Sequence, residues 1–341
     1  MGARVRALHE RMPATALSVL DLVPVRTGQT SAEAIAASLA LAEVADRLGY
    51  RRYWFAEHHN MPSVASTTPP VLIAAAATRT SRLRLGSGGV MLPNHAPLMV
   101  AEQFGTLANM HGDRIDLGLG RAPGTDQMTA QALARSSAEP QAFAQNIYDL
   151  QGWLGEHGRA HSIPIVSAVS QGTDVPIWVL GSTVNGAAIA GQLGLPFSVA
   201  SHFAPDQLDE AIRVYRESFT TESPTAQIEE PRVMAGINVM VADTDEAAAR
   251  EFTVVQQMFL DLRTGGRRRI QPPVDPAEIA TRGGDRNPML QISAVGSPQT
   301  VTRQLEEFVA RTGADELITV TYAYDRQVRD RSLELLAGAW F

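Results

Sequence analysis

Glu57, His58 and His59 stand consecutively in YWFAEHHNMP, so a carboxylate and two imidazoles follow directly on the run YWFA. Imidazole titrates near neutral pH, which suits one of these histidines to acid/base work or to hydrogen bonding with a reacting molecule. A shared metal ion does not suit them, because successive residues of an extended chain point to opposite faces. The competing reading has one imidazole packed under a helix layer and the other hydrogen-bonded at a rim. Gly88 and Gly89 interrupt an apolar run at 83–92. A glycine pair permits a bulge, lets backbone approach a flat ligand without intervening Cβ atoms, or simply ends a strand. In GLGRAPGTD, Arg121 follows Gly118 and Gly120, and its planar fork suits either a phosphate or a rim salt bridge. The glycine spacing is GxGxxxG and follows a fourth strand, so a Rossmann dinucleotide site fails on context. Gly181, Ser182 and Thr183 lead into a helix, where free N–H groups and two hydroxyls serve a phosphate or plain N-capping.

Absences exclude further chemistries. All 29 basic residues are arginine, and there is no cysteine. Schiff-base chemistry, the P-loop lysine, thiol nucleophiles, disulfides and iron–sulfur clusters are thereby removed. Against 36 acidic residues the net charge is −7, which does not suit a nucleic-acid binder. Residues 1–14 carry Arg4, Arg6 and Arg11 without a following apolar run, and no apolar stretch approaches membrane-spanning length. A soluble, cytoplasmic protein is expected.

The elements that must position these residues alternate. Strands are predicted at 16–22, 52–56, 83–92, 114–120, 176–180, 197–200, 233–241 and 316–322. Helices are predicted at 32–48, 69–79, 97–110, 127–153 with a break at Pro140, 185–193, 206–219 and 330–336. Eight β/α units favour an α/β fold of the (β/α)8 TIM-barrel type over an open sheet. The chain reads as an N-terminal extension, 1–14, and a single barrel domain, 15–341. Two segments interrupt the rhythm, 156–175 and 261–294. The second, with TGGRRR, QPPVDP and TRGGDRNP, reads as a loop or lid insertion before the last strand. Its Arg267, Arg268 and Arg269 either hold an anion or belong to a solvated flexible loop. In a barrel of this kind catalytic groups follow the strands, and polar residues and glycines gather there: EHHN, GG, GRAPGTD, GST, ASHF and TYAYD. His95, just before Pro97, reads as orienting a helix start.

From Leu17 onward the chain resembles the bacterial-luciferase-like flavin-dependent monooxygenases. The resemblance rests on SVLDL, YWFAEHHNMP, LRLGSGGVMLPNHAPLMVAEQFGTLA, GDRIDLGLGRAPGTD and IWVLGSTVNGAAIAGQLGLPFSVASHFAP. It continues more weakly through INVMVADTDEAA, AVGSPQTV and GADELITV. It implies non-covalent FMN at the C-terminal mouth of the barrel, with Glu57 close to the flavin and Gly88 and Gly89 joined by a cis peptide beneath its ring. Arg121 and the turn Gly181, Ser182, Thr183 match the phosphate-binding region, and His58 matches the catalytic histidine of luciferase. A reactive cysteine that precedes the arginine in luciferase is replaced by Gly120, which speaks against light emission. The implied reaction uses O2 and reduced FMN, supplied by a separate flavin reductase, to oxygenate a small organic substrate through a flavin hydroperoxide. A homodimer, with no metal, is implied as well. Two other functions fit the same residues: deazaflavin-dependent hydride transfer, and non-catalytic FMN binding.

Overall fold

A computed structural model describes residues 15–122, 124–133 and 142–341. The N-terminal extension and the helix break at Pro140 lie outside the described residues. The chain opens with β1 (Ala16–Asp21), α1 (Ser31–Leu48), β2 (Arg52–Phe55), α2 (Pro69–Ala77) and β3 (Arg84–Ser87). Next come β4 (Val90–Met91), α3 (Pro97–His111), β5 (Ile115–Gly120), α4 (Gln127–Leu133) and α5 (Ala142–Leu154). The second half contributes β6 (Ile177–Gly181), α6 (Val184–Gln192), β7 (Phe197–Val199), α7 (Leu208–Ser218) and β8 (Val233–Val241). Then follow α8 (Asp245–Arg263), α9 (Pro276–Thr281), β9 (Ser293–Gly296), α10 (Pro298–Thr312), β10 (Glu316–Val320) and α11 (Arg326–Trp340). No helix among the described residues is long and apolar enough to cross a membrane.

The parallel ladder runs β10, β1, β2, β3, β5, β6, β7, β8 and returns to β10, closing an eight-stranded barrel. Glu316 stands opposite Ala16 of β1 on one side and Met234 of β8 on the other. Local signals place the helices. Thr30 caps α1 through a capping box with Glu33, and Gly49, at φ 89°, ends it in the left-handed region. Proline opens α2, α3, α9 and α10, where the missing N–H has no intrahelical partner to lose.

The N-terminal end of the barrel interior is filled by charge. Arg52 Nη1 donates to Asp116 at 2.5 Å, Arg52 Nε donates to Glu316 at 2.9 Å, and Ser18 donates to Glu316 at 2.5 Å. All four are buried. The plug shuts that end, so the C-terminal end is the one that opens.

Two expectations are revised. The third strand is two, β3 and β4, with Gly88 and Gly89 between them, and β4 pairs with β5. Segment 261–294 is no structureless loop: it starts in the last turn of α8, contains α9 and reaches β9, which extends the ladder of β8. Helices α8 and α10, each with an apolar face, carry no expectation from the sequence and flank this insertion.

Candidate active site

A cavity of about 430 Å³ opens at the C-terminal mouth. Its walls are mostly apolar, with Leu20, Trp54, Val179, Phe203, Met258 and Ile318 among them. The polar side chains that reach it are His58, Arg121, Ser182, Thr183, Ser198, His202 and Tyr322. The structure therefore gathers His58, Gly88, Arg121, Gly181, Ser182 and Thr183 around one space, and leaves Glu57 and Gly89 behind its wall.

His58 is held by its backbone N–H, which donates to Ser66 O at 3.0 Å, and by its ring, whose Nδ1 lies 3.1 Å from Gly124 O. A carbonyl oxygen only accepts, so Nδ1 carries the proton and Nε2 of the neutral ring is free to accept one. Burial pushes the imidazole below its usual pKa, and the contacts with Gly124 and Glu57 offset this only partly. A neutral base at pH 7 results.

Glu57, expected beside the cofactor, is a tie within the wall. Its carboxylate accepts from His59 Nε2 at 2.9 Å, His95 Nε2 at 2.9 Å, Met91 N–H at 2.9 Å and Asn94 Nδ2 at 3.3 Å. Burial raises its pKa, but these donors, His95 foremost, outweigh it and keep the group ionised. The tie joins the loop after β2 to β4, and it engages His59, which turns away from His58 and off the cavity. His95 therefore has a partner that its position before Pro97 does not reveal.

The Gly88–Gly89 peptide is cis. Neither glycine has room for a side chain. A Cβ on Gly88 would lie 2.5 Å from Leu20 Cδ1, and one on Gly89 would lie 2.7 Å from Gly118 O. Gly89 thus faces β5 rather than the cavity.

On the neighbouring stretch of the rim, after β5 and β6, Arg121 makes no ion pair and no hydrogen bond with the described residues, and Ser182 keeps its hydroxyl unpaired in the same sense. Thr183 serves as N-cap of α6, its oxygen accepting from Gly186 N–H at 3.2 Å, so the capping reading applies to it. Its own proton remains to donate. A guanidinium, two hydroxyl donors and the start of a helix converge there, a donor set suited to phosphate.

Over the mouth, the arginine run of the insertion is consumed internally. Arg267 donates to Asp126 and to Asn60 O, each at 3.2 Å; Arg268 pairs with Asp261 at 2.5 Å, and Arg269 donates to Gln29 O at 2.8 Å. Neither an anion site nor a loose loop describes it. Among the described residues no group of three or more His, Cys, Asp or Glu side chains is placed to hold a metal ion.

ASHF is among the rim segments that the sequence marks, but nothing in the sequence gives His202 a role of its own. His202 is buried in the cavity wall across from His58, and no periodicity marks it.

The family model for luciferase-like monooxygenases matches residues 15–316. The chain is 42% identical over 325 residues to a luciferase-like monooxygenase of Escherichia coli strain K12, covering 94% of this chain and 95% of that one. Among solved structures, apo-MsnO8 superimposes with a TM-score of 0.85 at 34% identity, covering 95% of this chain and 98% of that one. At 19% identity, fold alone is shared with the oxygenating constituent of 3,6-diketocamphane monooxygenase from Pseudomonas putida in complex with FMN. That TM-score is 0.69, with 96% and 98% of the two chains covered.

Proposed function

The chain belongs to the luciferase-like monooxygenase family, and from that premise we propose that it is an FMN-dependent monooxygenase acting on a small organic molecule. The observation that carries the cofactor is Arg121, unpaired among the described residues, beside Ser182 and the start of α6. A buried or half-buried guanidinium without an acceptor is a charge waiting for one, and a phosphate monoester fits that donor set. Gly88 supports the same reading, since its missing side chain keeps the wall flat where a planar ring would lie. Reduced FMN, delivered by a separate flavin reductase, supplies the electrons with which one atom of O2 enters the substrate and the other leaves as water.

The chain's own residues do the rest. Arg121, Ser182 and Thr183 hold the phosphate. The apolar walls exclude water from the reacting space, which suppresses wasteful loss of the reduced cofactor to solvent. His58, neutral and held through Nδ1–H, accepts or returns a proton at Nε2. Assembly as a homodimer belongs to the same proposal.

Titrations of the purified protein with FMN, riboflavin and a deazaflavin, read by flavin fluorescence, test the cofactor. FMN is expected to bind well ahead of the other two. Preference for the deazaflavin would replace oxygenation by hydride transfer. FMN binding without substrate-dependent O2 uptake would leave a flavin-binding protein that is not an oxygenase.

A further inference from the structure

Across the barrel from His58 stands a second imidazole that the proposed reaction does not use. β2 and β7 are four strands apart in the closed ring of eight, so the residues following them face one another over the mouth. His202 follows β7 and is 8% exposed. Its turn is clamped: Asn238 Nδ2 donates to His202 O at 2.5 Å, and Ser201 Oγ donates to Gly236 O at 2.6 Å. The ring lies against Gly236 of β8, where any Cβ would collide with Nδ1. That nitrogen is buried and has no hydrogen-bond partner among the described residues.

The proton of the ring can be assigned from this. A buried N–H without an acceptor costs more than a buried acceptor without a donor, so the proton sits on Nε2. Nε2 has no partner among the described residues either, and it is the polar atom the ring leaves for an occupant of the cavity. His58 presents the complementary atom, an unprotonated Nε2. One neutral donor and one neutral acceptor thus face a space whose other walls, away from the phosphate end, are apolar. Arg121 is the one charged side chain among the described residues lining it.

We infer that His202 Nε2–H is a specificity determinant that binds the hydrogen-bond-accepting atom of an uncharged, mainly apolar substrate lying between His202 and His58. The inference rests on this cavity being the substrate site of the proposed oxygenase. A carboxylate or sulfonate placed there would be desolvated with no cation to meet it once Arg121 is engaged by phosphate. A hydrocarbon with no acceptor would leave the donor unpaired.

The test titrates octan-2-one and octanoate into wild type and variants, following tryptophan fluorescence, to which Trp54 in the cavity wall contributes, with and without FMN. Octan-2-one should bind, and octanoate should bind roughly 100-fold more weakly or less. His202→Leu should weaken octan-2-one about three- to tenfold while FMN affinity is kept, and His202→Gln, which retains an N–H donor, should restore most of the loss. Should His202→Leu fail to fold by circular dichroism, His202→Met replaces it. Equal binding of octanoate, no binding of octan-2-one, or identical behaviour of the Leu and Gln variants overturns the inference. Failure of the wild type to bind FMN strikes instead at the cofactor, and the ketone titration, which reads tryptophan fluorescence, still decides the role of His202.

Discussion

Arg121 and His58 divide the site's work into binding and turnover, and single substitutions should separate the two. Arg121→Ala should weaken FMN far more than riboflavin, since a charge-assisted contact to phosphate is worth about 1.5 to 3 kcal/mol, roughly ten- to 150-fold in Kd. Equal losses for both ligands, measured by fluorescence titration, would make Arg121 a structural residue. His58→Ala should keep FMN binding yet lose roughly 10² to 10⁴ in turnover, read as substrate-dependent O2 uptake. His59→Ala should spare turnover and lower the melting temperature, because it removes a donor from buried Glu57. His202 adds a pH dependence. Burial, with a smaller contribution from His58, pushes its imidazole down to about 3 in the folded chain against an ordinary value of 6.5. Between those values the unfolded chain holds the extra proton, so stability falls as pH is lowered from about 6.5 toward 3. At pH 5 the loss is about 2 kcal/mol relative to neutral pH. His202→Gln should flatten that part of a melting-temperature profile; an unchanged slope would show that His202 takes up its proton as readily in the fold as in the unfolded chain. His58 and Arg121 were legible in the sequence because each follows a strand beside glycines or other polar residues. His202 was legible as part of the rim segment ASHF but not in its role, because its burial against Gly236 shows only once β7 and β8 are side by side. Glu57 was legible as unusual but not in its role, because His95 and Met91 reach it through space.

The glycines between β3 and β5 show an element built on close approach. Gly86 and Gly118, like Gly89, lack room for a Cβ: at Gly86 it would lie 2.6 Å from Asp116 O, and at Gly118 it would strike Ser87 O. Ser87 uses the approach, its hydroxyl donating to Gly118 O at 2.8 Å and accepting from Gly118 N–H at 3.0 Å. Gly89→Val should therefore act mainly on the strand pair, lowering the denaturation midpoint by the equivalent of about 1 to 3 kcal/mol. Loss of FMN affinity with an unchanged midpoint would mean that a side chain at 89 enters the cavity. Most strands could be read from apolar runs between glycines and prolines. The glycine pair marked a place where the third strand could bulge or end, but not that the chain resumes as β4 paired with β5. The order inside 261–294 was hidden for a different reason: Gly, Pro and Arg composition marks irregular backbone, and says nothing of the pairing of Arg267 with Asp126 or of β9 with β8.

At the scale of the molecule, the buried plug and the open mouth are two ends of one design. Arg52→Met would strand Asp116 and Glu316 in the barrel interior with less compensation, a change typically costing about 3 to 5 kcal/mol. Urea unfolding should register that loss, while the FMN affinity of the remaining folded protein should stay close to wild type; a midpoint near wild type would mean that Arg84, 2.7 Å from Asp116, together with Arg232 and Arg51, 3.4 and 3.5 Å from Glu316, suffices for the plug. The eight-strand count was readable because parallel barrels repeat one unit. The same count favoured closure over an open sheet, and β10 closes the ring by pairing with both β1 and β8. That seam has a consequence for synthesis. β10 is the stave that joins β1 to β8, and α11 then bonds the two ends together, Trp340 Nε1 donating to Thr15 O at 2.7 Å. Until residues 316–320 leave the ribosome, the nascent chain carries two parallel edges that lack β10, one on β1 from the start of translation and one on β8, which β9 covers only at 238–241. Such edges invite pairing with neighbouring chains, so the yield of folded protein should depend on how long the ribosome takes to reach β10 and on what shields the edge of β1 meanwhile.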